Sequence, residues 1–265
     1  MNPVMFNIGS IEVRWYSFLI LVAILLAIVL MIKEGKKYGI GKDVIFDMCF
    51  YCIIVGIIGA RAYYVIFNYK EYSTSLLDIF KIWNGGLAIH GGIIAGLVTL
   101  ILYCKKHNLQ ILRMTDIFVV SLILAQAIGR WGNFFNSEAH GRATSLYFLR
   151  SLHIPKFIID GMNIGGVYYH PTFLYESLWC LLGFIILLII RKFKHIKVGT
   201  LTCCYIIWYS VGRLFIESLR TDSLMLGGFK VAQIVSIIGI IISIGILFYN
   251  SKKGKYEDMY HVNNI

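Results

Sequence analysis

The chain has 265 residues, of which 58% are hydrophobic and 15% are charged, and its formal net charge is +11. Soluble chains average about 25% charged residues. A soluble domain of this length cannot bury so much apolar surface, so the composition favours lipid as the main solvent. It also excludes a disordered chain and a disulfide scaffold. The sequence therefore predicts an integral membrane protein that crosses the bilayer several times.

Seven apolar segments approach or exceed the length of about 18 residues that a membrane-spanning helix needs. In chain order they are Trp15–Ile32, Val44–Phe67, Leu87–Cys104, Ile117–Phe135, Phe173–Ile190, Leu201–Leu219 and Val231–Tyr249. The first is predicted to be a span and not a cleavable signal peptide, because lysines follow it instead of a small-residue cleavage site. The predicted fold class is an all-α polytopic membrane protein with seven transmembrane helices.

Basic residues between these segments predict the orientation of the chain in the membrane. Fourteen Lys and Arg lie in one alternating set of connections and eight in the opposite set. Because cytoplasmic connections carry the excess of positive charge, the first set is predicted to be cytoplasmic, with the N-terminus outside and the C-terminus inside. The net charge then follows from topology, and no nucleic-acid partner is predicted.

One connection is much longer than the others. Asn136–Thr172, between the fourth and fifth spans, has 37 residues and includes six Gly or Pro. Connections of this length in compact proteins are usually functional or carry small structure of their own. The segment 136–172 is therefore predicted to form a small extracytoplasmic head, and the tail from Ser251 is predicted to be loose.

The six cysteines allow two interpretations. Cys49 and Cys52 form a C-x-x-C pair inside the second span, and the other four are scattered in apolar surroundings. A redox or zinc site would need a supporting motif that the sequence does not contain. The pattern favours small buried hydrophobic residues.

Polar side chains inside the predicted spans form two stripes. An intramembrane arginine costs roughly 3 kcal/mol, so such residues are informative. Spacings of three and four residues place each stripe on one helix face. The stripes are Gln126, Arg130, Asn133 and Ser137 in the fourth span, and Tyr209, Arg213, Glu217 and Arg220 in the sixth. Neither can face lipid, so they are predicted to face each other or a wet cavity.

The charges in these stripes have alternative interpretations. Arg213 and Glu217 could form a structural ion pair that closes the helix bundle. Arg130 has no acidic residue within one turn of its own helix, so its charge is predicted to be available to a ligand.

Glycines surround His90 on both sides, at Gly85, Gly86, Gly91, Gly92 and Gly96. They could permit close helix packing through small residues. They could also mark a helix start whose backbone N–H groups and imidazole face a polar ligand. Both interpretations stay open at this point.

The predicted topology brings most intramembrane charges to the outer level of the membrane. The basic members are Arg61, Arg130, Arg213 and Arg220, and the acidic members are Glu138, Glu176 and Glu217. This balance favours an anion, and guanidinium groups bind phosphate through two parallel hydrogen bonds. The residues alone thus predict a membrane-embedded phosphate site whose natural ligand is the headgroup of an anionic phospholipid.

Common catalytic motifs are missing, including the Gly-x-Ser-x-Gly elbow, the His-Glu-x-x-His zinc helix and the Walker loop. Residues 129–142 instead contain Gly-Arg-Trp-Gly-Asn-Phe-Phe-Asn-Ser-Glu-Ala-His-Gly-Arg. Further blocks are His90 between glycine pairs, His170-Pro171 followed by Leu174-Tyr175-Glu176, and Tyr209-x-x-x-Arg213-x-x-x-Glu217-x-x-Arg220. From Trp15-Tyr16 through the last span, the chain closely resembles the bacterial prolipoprotein diacylglyceryl transferase family.

The resemblance implies an enzyme of the bacterial cytoplasmic (inner) membrane. Such an enzyme moves the diacylglyceryl group of phosphatidylglycerol onto the lipobox cysteine of a preprolipoprotein and releases glycerol 1-phosphate. The nucleophile belongs to the substrate, and no metal or nucleotide cofactor is implied.

The resemblance also implies roles for individual residues. Arg130 and Arg213 are expected to hold the phosphate. His90 is the first choice for the base, because imidazole titrates nearest neutrality, with Glu138 or Glu217 as alternatives. The residues expected to bind substrate are Tyr16, Asn133, Asn136, Glu138, Gly141, His170, Tyr209, Glu217 and Arg220.

A carrier is the competing function, either an anion transporter or a lipid flippase that uses the same Arg-lined cavity. Such proteins often contain inverted repeats and polar groups that reach both membrane faces. This sequence shows no repeat, and its predicted polar layer lies on one side. The transferase is therefore favoured.

Overall fold

A computed structural model describes residues 1–9, 11–72, 76–221, 225–253 and 259–261. The chain divides into two compact units. The first unit contains Met1–Leu30 and Thr115–Ile265, and the second contains Met31–Met114.

Helices make up most of the structure. They are α1 Trp15–Gly35, α2 Lys42–Phe67, α3 Tyr69–Tyr72, α4 Ile89–Lys106, α5 Ile111–Phe135, α6 Leu146–Ser151, α7 Lys156–Gly161, α8 Thr172–Arg191, α9 Thr200–Leu219 and α10 Val231–Lys253. Short 3-10 helices occupy Lys36–Tyr38, Leu76–Phe80 and Ile82–Asn84. The strands are β1 Val4–Ile8, β2 Ile11–Arg14, β3 Ala143–Thr144, β4 Asn163–Ile164, β5 Val167–Tyr169, β6 Met225–Leu226 and β7 Phe229–Lys230.

Within the described part of the chain, six helices are long and apolar enough to cross a membrane, namely α1, α2, α4, α5, α8 and α10. This confirms the prediction of a mainly helical, multi-pass membrane protein. Helix α9 coincides with the sixth predicted span but is not among the six, because its polar stripe lowers its mean hydropathy. Helix α5 begins at Ile111, six residues before the predicted start, since it continues through the charged Arg113 and Asp116.

The connection between α5 and α8 contains helices α6 and α7 and an antiparallel three-stranded sheet in the order β3-β5-β4. Its buried core consists of Phe134, Ile158, Met162 and Phe173. Phe134 and Phe173 stack with ring centroids 4.6 Å apart. Because Phe134 lies on α5 and Phe173 on α8, this core joins the connection to the two helices that carry Arg130 and Glu176.

Helix α9 is held at both ends by side chains of opposite charge. At its start, buried Asp116 accepts hydrogen bonds from the Gly199 N–H at 2.7 Å and from the Thr202 N–H at 2.8 Å. At its end, Lys230 Nζ donates to the carbonyls of Glu217 at 2.5 Å and Arg220 at 3.0 Å. An anion at the start and a cation at the end are the signs that the helix dipole favours. The position of α9 is therefore fixed by its neighbours.

The described part of the tail is packed, contrary to the prediction that the chain is loose from Ser251. Helix α10 continues to Lys253. Tyr260 has 0% exposure, and its backbone N–H donates to the Ile196 carbonyl at 2.8 Å. The buried ring of Tyr260 therefore packs this segment against the α8–α9 connection. The polar composition of the tail and its place at the end of the chain do not predict this packing.

The second unit is built on a close approach of helices α2 and α4. A Cβ placed on Gly91 would overlap the backbone oxygen of Gly59, and one on Gly92 would lie 3.4 Å from the backbone oxygen of Gly56. Small residues permit helix backbones to approach in this way. The packing interpretation of the glycines around His90 is therefore confirmed.

Candidate functional site

Three helices of the first unit meet at one carboxylate. Glu176, in the first turns of α8, forms an ion pair with the Nε of Arg130 on α5. Its other oxygen lies 3.0 Å from Nη1 of Arg213 on α9. Glu176 is 6% exposed, so little water competes for its oxygens. It therefore holds the two guanidinium groups side by side and offsets part of their mutual repulsion.

Two further charges complete this cluster. Glu217 Oε2 lies 2.7 Å from Nη2 of Arg213, and Arg220 Nη1 lies 3.8 Å from the Glu176 carboxylate. The two glutamate side chains are 7% and 2% exposed, while those of Arg130, Arg213 and Arg220 are 23%, 19% and 13% exposed. Three guanidinium groups face two buried carboxylates, so the cluster carries one excess positive charge and can bind an anion such as phosphate.

The sequence predicts that the Arg130 charge is available to a ligand, because its own helix has no acidic residue within one turn. The structure corrects this in part, since Glu176, 46 positions further along the chain on α8, forms an ion pair with the Arg130 Nε. The alternative of a structural pair between Arg213 and Glu217 is confirmed as a contact. Arg213 nevertheless also contacts Glu176, so the same side chain joins the structural pair and the larger cluster.

The sequence predicts that the two polar stripes face each other or a wet cavity, and contacts between α5 and α9 confirm the first alternative. Gln126 Nε2 donates to the Tyr205 hydroxyl at 2.9 Å, which joins α5 to α9. One turn further along α9, Tyr209 interacts with the Arg130 guanidinium. Polar side chains of α5 and α9 therefore contact each other directly.

The loop after α5 brings together three of the predicted substrate-binding residues. Glu138 accepts a hydrogen bond from Asn133 Nδ2 at 2.9 Å and one from Asn136 Nδ2 at 3.3 Å. Ser137 and Ala139, on either side of Glu138, both have φ of +54°. L-residues rarely adopt this conformation, which is typical of functional or tightly constrained loops. The two hydrogen bonds thus hold the Glu138 carboxylate close to the C-terminal end of α5.

Gly141 lies in the tight contact between this loop and the start of α8. A Cβ on Gly141 would lie 2.7 Å from His170 Cβ and 3.0 Å from a Thr172 methyl. The Gly141 N–H donates to the His170 carbonyl at 2.9 Å. Gly141 also forms an isolated bridge with Arg220. Its role is therefore to permit close backbone approach next to the arginine cluster.

His170 lies before α8, where its ring packs on Phe148 with centroids 5.1 Å apart. Its Nδ1 lies 3.4 Å from the Tyr175 hydroxyl. Burial lowers the pKa of His170, because desolvation penalises the charged imidazolium.

This lowered pKa predicts a pH dependence of stability. Between the lower pKa of folded His170 and the unfolded value of about 6.5, the unfolded chain binds more protons, so stability falls as the pH falls below about 6.5. His170→Gln should flatten the decline. The measurement is the Tm of detergent-solubilised protein at pH 5 to 8. Parallel curves for both proteins would contradict this prediction.

Tyr16 lies at the start of α1 and packs on α5. A Cβ on Gly132 would lie 2.6 Å from the Tyr16 ring, so the glycine makes room for the ring. Tyr16 is 39% exposed. The contact places Tyr16 beside the helical turn that carries Arg130 and Asn133.

His90 lies in the second unit, in the first turn of α4. Its nearest ring neighbour is Tyr63, with centroids 6.3 Å apart. The face of α4 next to His90 packs against α2, because Gly91 contacts Gly59. His90 itself is exposed.

Arg61, which the sequence placed among anion-binding charges, binds backbone carbonyls instead. Its guanidinium donates to the carbonyls of Asp78 at 2.6 Å, Ile79 at 2.7 Å, Gly85 at 2.8 Å and Gly86 at 3.0 Å. The side chain is 7% exposed. Arg61 therefore stabilises the connection between α2 and α4.

Glu176 is the site residue that sequence reasoning undervalued. The sequence places Glu176 among the outer-level charges but not among the expected substrate-binding residues. An acidic side chain in an apolar helix, with arginine stripes on two other helices, is nevertheless a usable signal.

The cysteines form no disulfide, and four of the six are buried. Among the residues that the structure describes, no group of three or more His, Cys, Asp or Glu could hold a metal ion.

Comparison with known proteins identifies the family. Residues 3–249 match the family model described as prolipoprotein diacylglyceryl transferase. The chain belongs to this family. The match extends from β1 into α10 and therefore includes the whole arginine cluster, residues 133–141 and the His90 region.

Several relatives carry the name phosphatidylglycerol–prolipoprotein diacylglyceryl transferase. The protein of Ligilactobacillus salivarius (strain UCC118) is 48% identical over 97% of this chain and 94% of its own length. That of Listeria monocytogenes serotype 4b (strain CLIP80459) is 50% identical over 96% and 91%. That of Staphylococcus aureus (strain Newman) is 51% identical over 95% and 90%. The similarity to these diacylglyceryl transferases thus extends over nearly the full length of both chains.

Proposed function

We propose that this protein transfers the diacylglyceryl group of phosphatidylglycerol to the lipobox cysteine of a preprolipoprotein, forming a thioether and releasing glycerol 1-phosphate. The observation that carries the proposal is the cluster in which Arg130 and Arg213 share Glu176, in a chain that belongs to this transferase family. The reaction moves negative charge from sulfur to a phosphate oxygen, so it requires cations where the phosphate departs.

The proposed step is a displacement at the glycerol C3 carbon. The cysteine thiol gives its proton to a base, the thiolate sulfur forms a bond to C3, and the bond between C3 and the phosphate oxygen breaks. The electron pair of the broken bond stays on glycerol 1-phosphate. Arg130 and Arg213 stabilise that developing charge through paired hydrogen bonds, and Arg220 adds a third cation.

Glu176 keeps the two arginines preorganised before the lipid arrives. Without it, two neighbouring guanidinium groups in a poorly solvated environment would repel each other. With it, the groups are already oriented and need little rearrangement during the reaction, which is where electrostatic catalysis gains most. Further residues around the cluster are proposed to orient the headgroup and the glycerol. They are Tyr16, Asn133, Asn136, Glu138, Gly141, His170, Tyr209, Glu217 and Arg220.

His90 stays the proposed base, on chemical grounds. Glu217 is ion-paired with Arg213, and Glu138 accepts two amide hydrogen bonds. Both alternative carboxylates are therefore already used as acceptors, which favours the imidazole. His90→Gln should lower the transfer rate by about 10² or more, because a positioned general base typically contributes 10² to 10⁴.

The proposed setting is the bacterial cytoplasmic (inner) membrane, with α9 as a seventh span beside the six apolar helices. The charge asymmetry of the connections supports an external N-terminus, a cytoplasmic C-terminus and an extracytoplasmic position for residues 136–172. In this orientation the arginine cluster lies near the outer leaflet, where both phosphatidylglycerol and an exported preprolipoprotein can reach it.

The direct test combines purified protein, phosphatidylglycerol vesicles and a lipobox peptide. Mass spectrometry should detect a diacylglyceryl increment on the peptide cysteine together with released glycerol 1-phosphate. A peptide with Ser in place of that cysteine is the matched control. If well-folded protein yields no adduct but moves lipid between leaflets, the carrier function replaces the transferase.

A second expected result concerns the nucleophile. Replacing all six cysteines of the protein with Ala should leave kcat within about threefold, because the attacking thiol is the substrate's. The measurement is the same mass-spectrometric rate assay, with Tm as the control for folding. Loss of turnover in a folded Cys-less protein would show that the chain supplies its own nucleophile.

A further inference from the structure

Helices α8 and α9 carry the same short motif, Trp-x-x-x-Gly. It comprises Trp179 and Gly183 on α8, and Trp208 and Gly212 on α9. The structure stacks the two indole rings against each other, with centroids 4.3 Å apart and planes 13° from parallel. The two motifs therefore meet at one level of the helix pair.

Each indole donates a hydrogen bond to the backbone of the other helix. Trp179 Nε1 donates to the Trp208 carbonyl at 2.9 Å, and Trp208 Nε1 donates to the Trp179 carbonyl at 2.9 Å. The two bonds are reciprocal, so each helix gives one donor and one acceptor. Both indole N–H groups are satisfied inside the bundle.

The glycines are what allow these bonds. In an α-helix, the carbonyl of residue i points toward residue i+4, so a side chain at i+4 blocks access to that carbonyl. A Cβ on Gly212 would overlap the Trp179 indole, and a Cβ on Gly183 would overlap the Trp208 indole. Each glycine therefore opens the carbonyl of the tryptophan one turn earlier to the opposite indole.

This pair lies within about one to one and a half helical turns of the arginine cluster along both helices. Trp179 follows Glu176 by three residues on α8, and Gly212 immediately precedes Arg213 on α9. A shift of one helix along the other would break both indole bonds and would also change the 3.0 Å contact between Arg213 and Glu176. Phosphate recognition by a guanidinium fork tolerates little misplacement.

We propose that Trp179 and Trp208 are positioning residues that set the register of α8 against α9 and so hold Arg213 at Glu176 in the orientation that stabilises the departing phosphate. The kinetic part of this inference rests on the proposed transferase function. Both indole N–H groups are already bonded to backbone carbonyls, so the two residues act through Arg213 and not on the reacting atoms.

The first experiment replaces each tryptophan by phenylalanine, which keeps an aromatic ring but removes the indole donor. Trp179→Phe and Trp208→Phe should each lower kcat about tenfold, with KM within about twofold, because transition-state contacts are lost more than lipid binding. Trp83→Phe is the matched control. Trp83 is 76% exposed and lies in the second unit, so the Trp83→Phe protein should have the kcat of the wild type.

A cycle with Arg213→Lys separates positioning from simple loss of folded protein. If the indole pair acts through the Arg213 fork, Trp179→Phe should cost less than twofold in a protein that already lacks the fork. If it acts only through stability, the factor is the same in both backgrounds. Equal factors in the two backgrounds would overturn the proposal.

A third measurement does not depend on activity. Gly212→Ala should lower Tm because its Cβ overlaps the Trp179 indole, whereas Gly245→Ala, which meets no atom within 4 Å, should not. The Tm changes of Trp179→Phe and Glu176→Gln should be non-additive in the double variant. If the wild-type protein shows no transfer, the proposed transferase function is wrong, and the coupling of the Tm changes alone tests the register role. Additive Tm changes would then overturn the register role.

Discussion

Replacing Arg130 by lysine should lower kcat for diacylglyceryl transfer by about 10² to 10³, the range observed when one preorganised donor is removed from an oxyanion site. Lysine keeps the charge but cannot keep the Arg130 pair with Glu176 while presenting a planar fork to phosphate. Arg213→Lys should have a similar effect, because Arg213 contacts both Glu176 and Glu217. The measurement is steady-state transfer to a lipobox peptide, with Tm recorded for each protein.

The matched control for these changes is Arg150→Lys, an exposed arginine of α6. Its transfer rate should stay within about twofold of wild type. A folded Arg130→Lys protein with more than a tenth of wild-type kcat would mean that positive charge alone suffices, and that the paired geometry at Glu176 has no catalytic role.

Gly91→Ala should destabilise the second unit by about 2 kcal/mol, within the range typical of overpacked sites. The added methyl would overlap the Gly59 backbone oxygen and the Tyr63 Cβ. Backbone atoms of two packed helices cannot move aside as the end of a flexible side chain can, so α2 and α4 must separate. Thermal unfolding in detergent should show a clear decrease in Tm, with reduced transfer because the adjacent residue, His90, is the proposed base.

Gly96→Ala provides a control on the same helix and the same interface. The nearest atom to a Cβ at Gly96 is the Cys52 backbone oxygen, at 3.8 Å, which is an ordinary van der Waals distance. Its expected effect on stability is within about 0.5 kcal/mol. Equal losses for both substitutions would point to a general effect of glycine on the helix and against the specific contact with Gly59.

Much of the fold followed from apolar periodicity and charge. Every predicted span overlaps a long helix, because a bilayer leaves few alternatives to a helix for an apolar segment. The stripe on α9 and the one on α5 were predicted to face each other from spacing and the cost of burying charge. The contacts of Gln126 with Tyr205 and of Arg130 with Tyr209 agree with that reasoning.

The missed features are those that depend on residues distant in the sequence. The pairing of Arg130 with Glu176 joins two helices, and spacing within one helix carries no information about it. Arg61 resembles the other arginines in sequence, yet its partners are backbone carbonyls, which have no sequence signature. The repeated Trp-x-x-x-Gly motif was visible in the chain, but its meaning required the two helices to be placed side by side.

The contacts at both ends of α9 bear on how this helix enters the membrane during synthesis. Asp116 of α5 holds its start, and Lys230 holds its end. A segment with so polar a face gains little from partitioning into lipid by itself. Its entry into the bilayer is therefore expected to wait until the earlier helices are already there to receive it, so that the order of synthesis becomes the order of assembly.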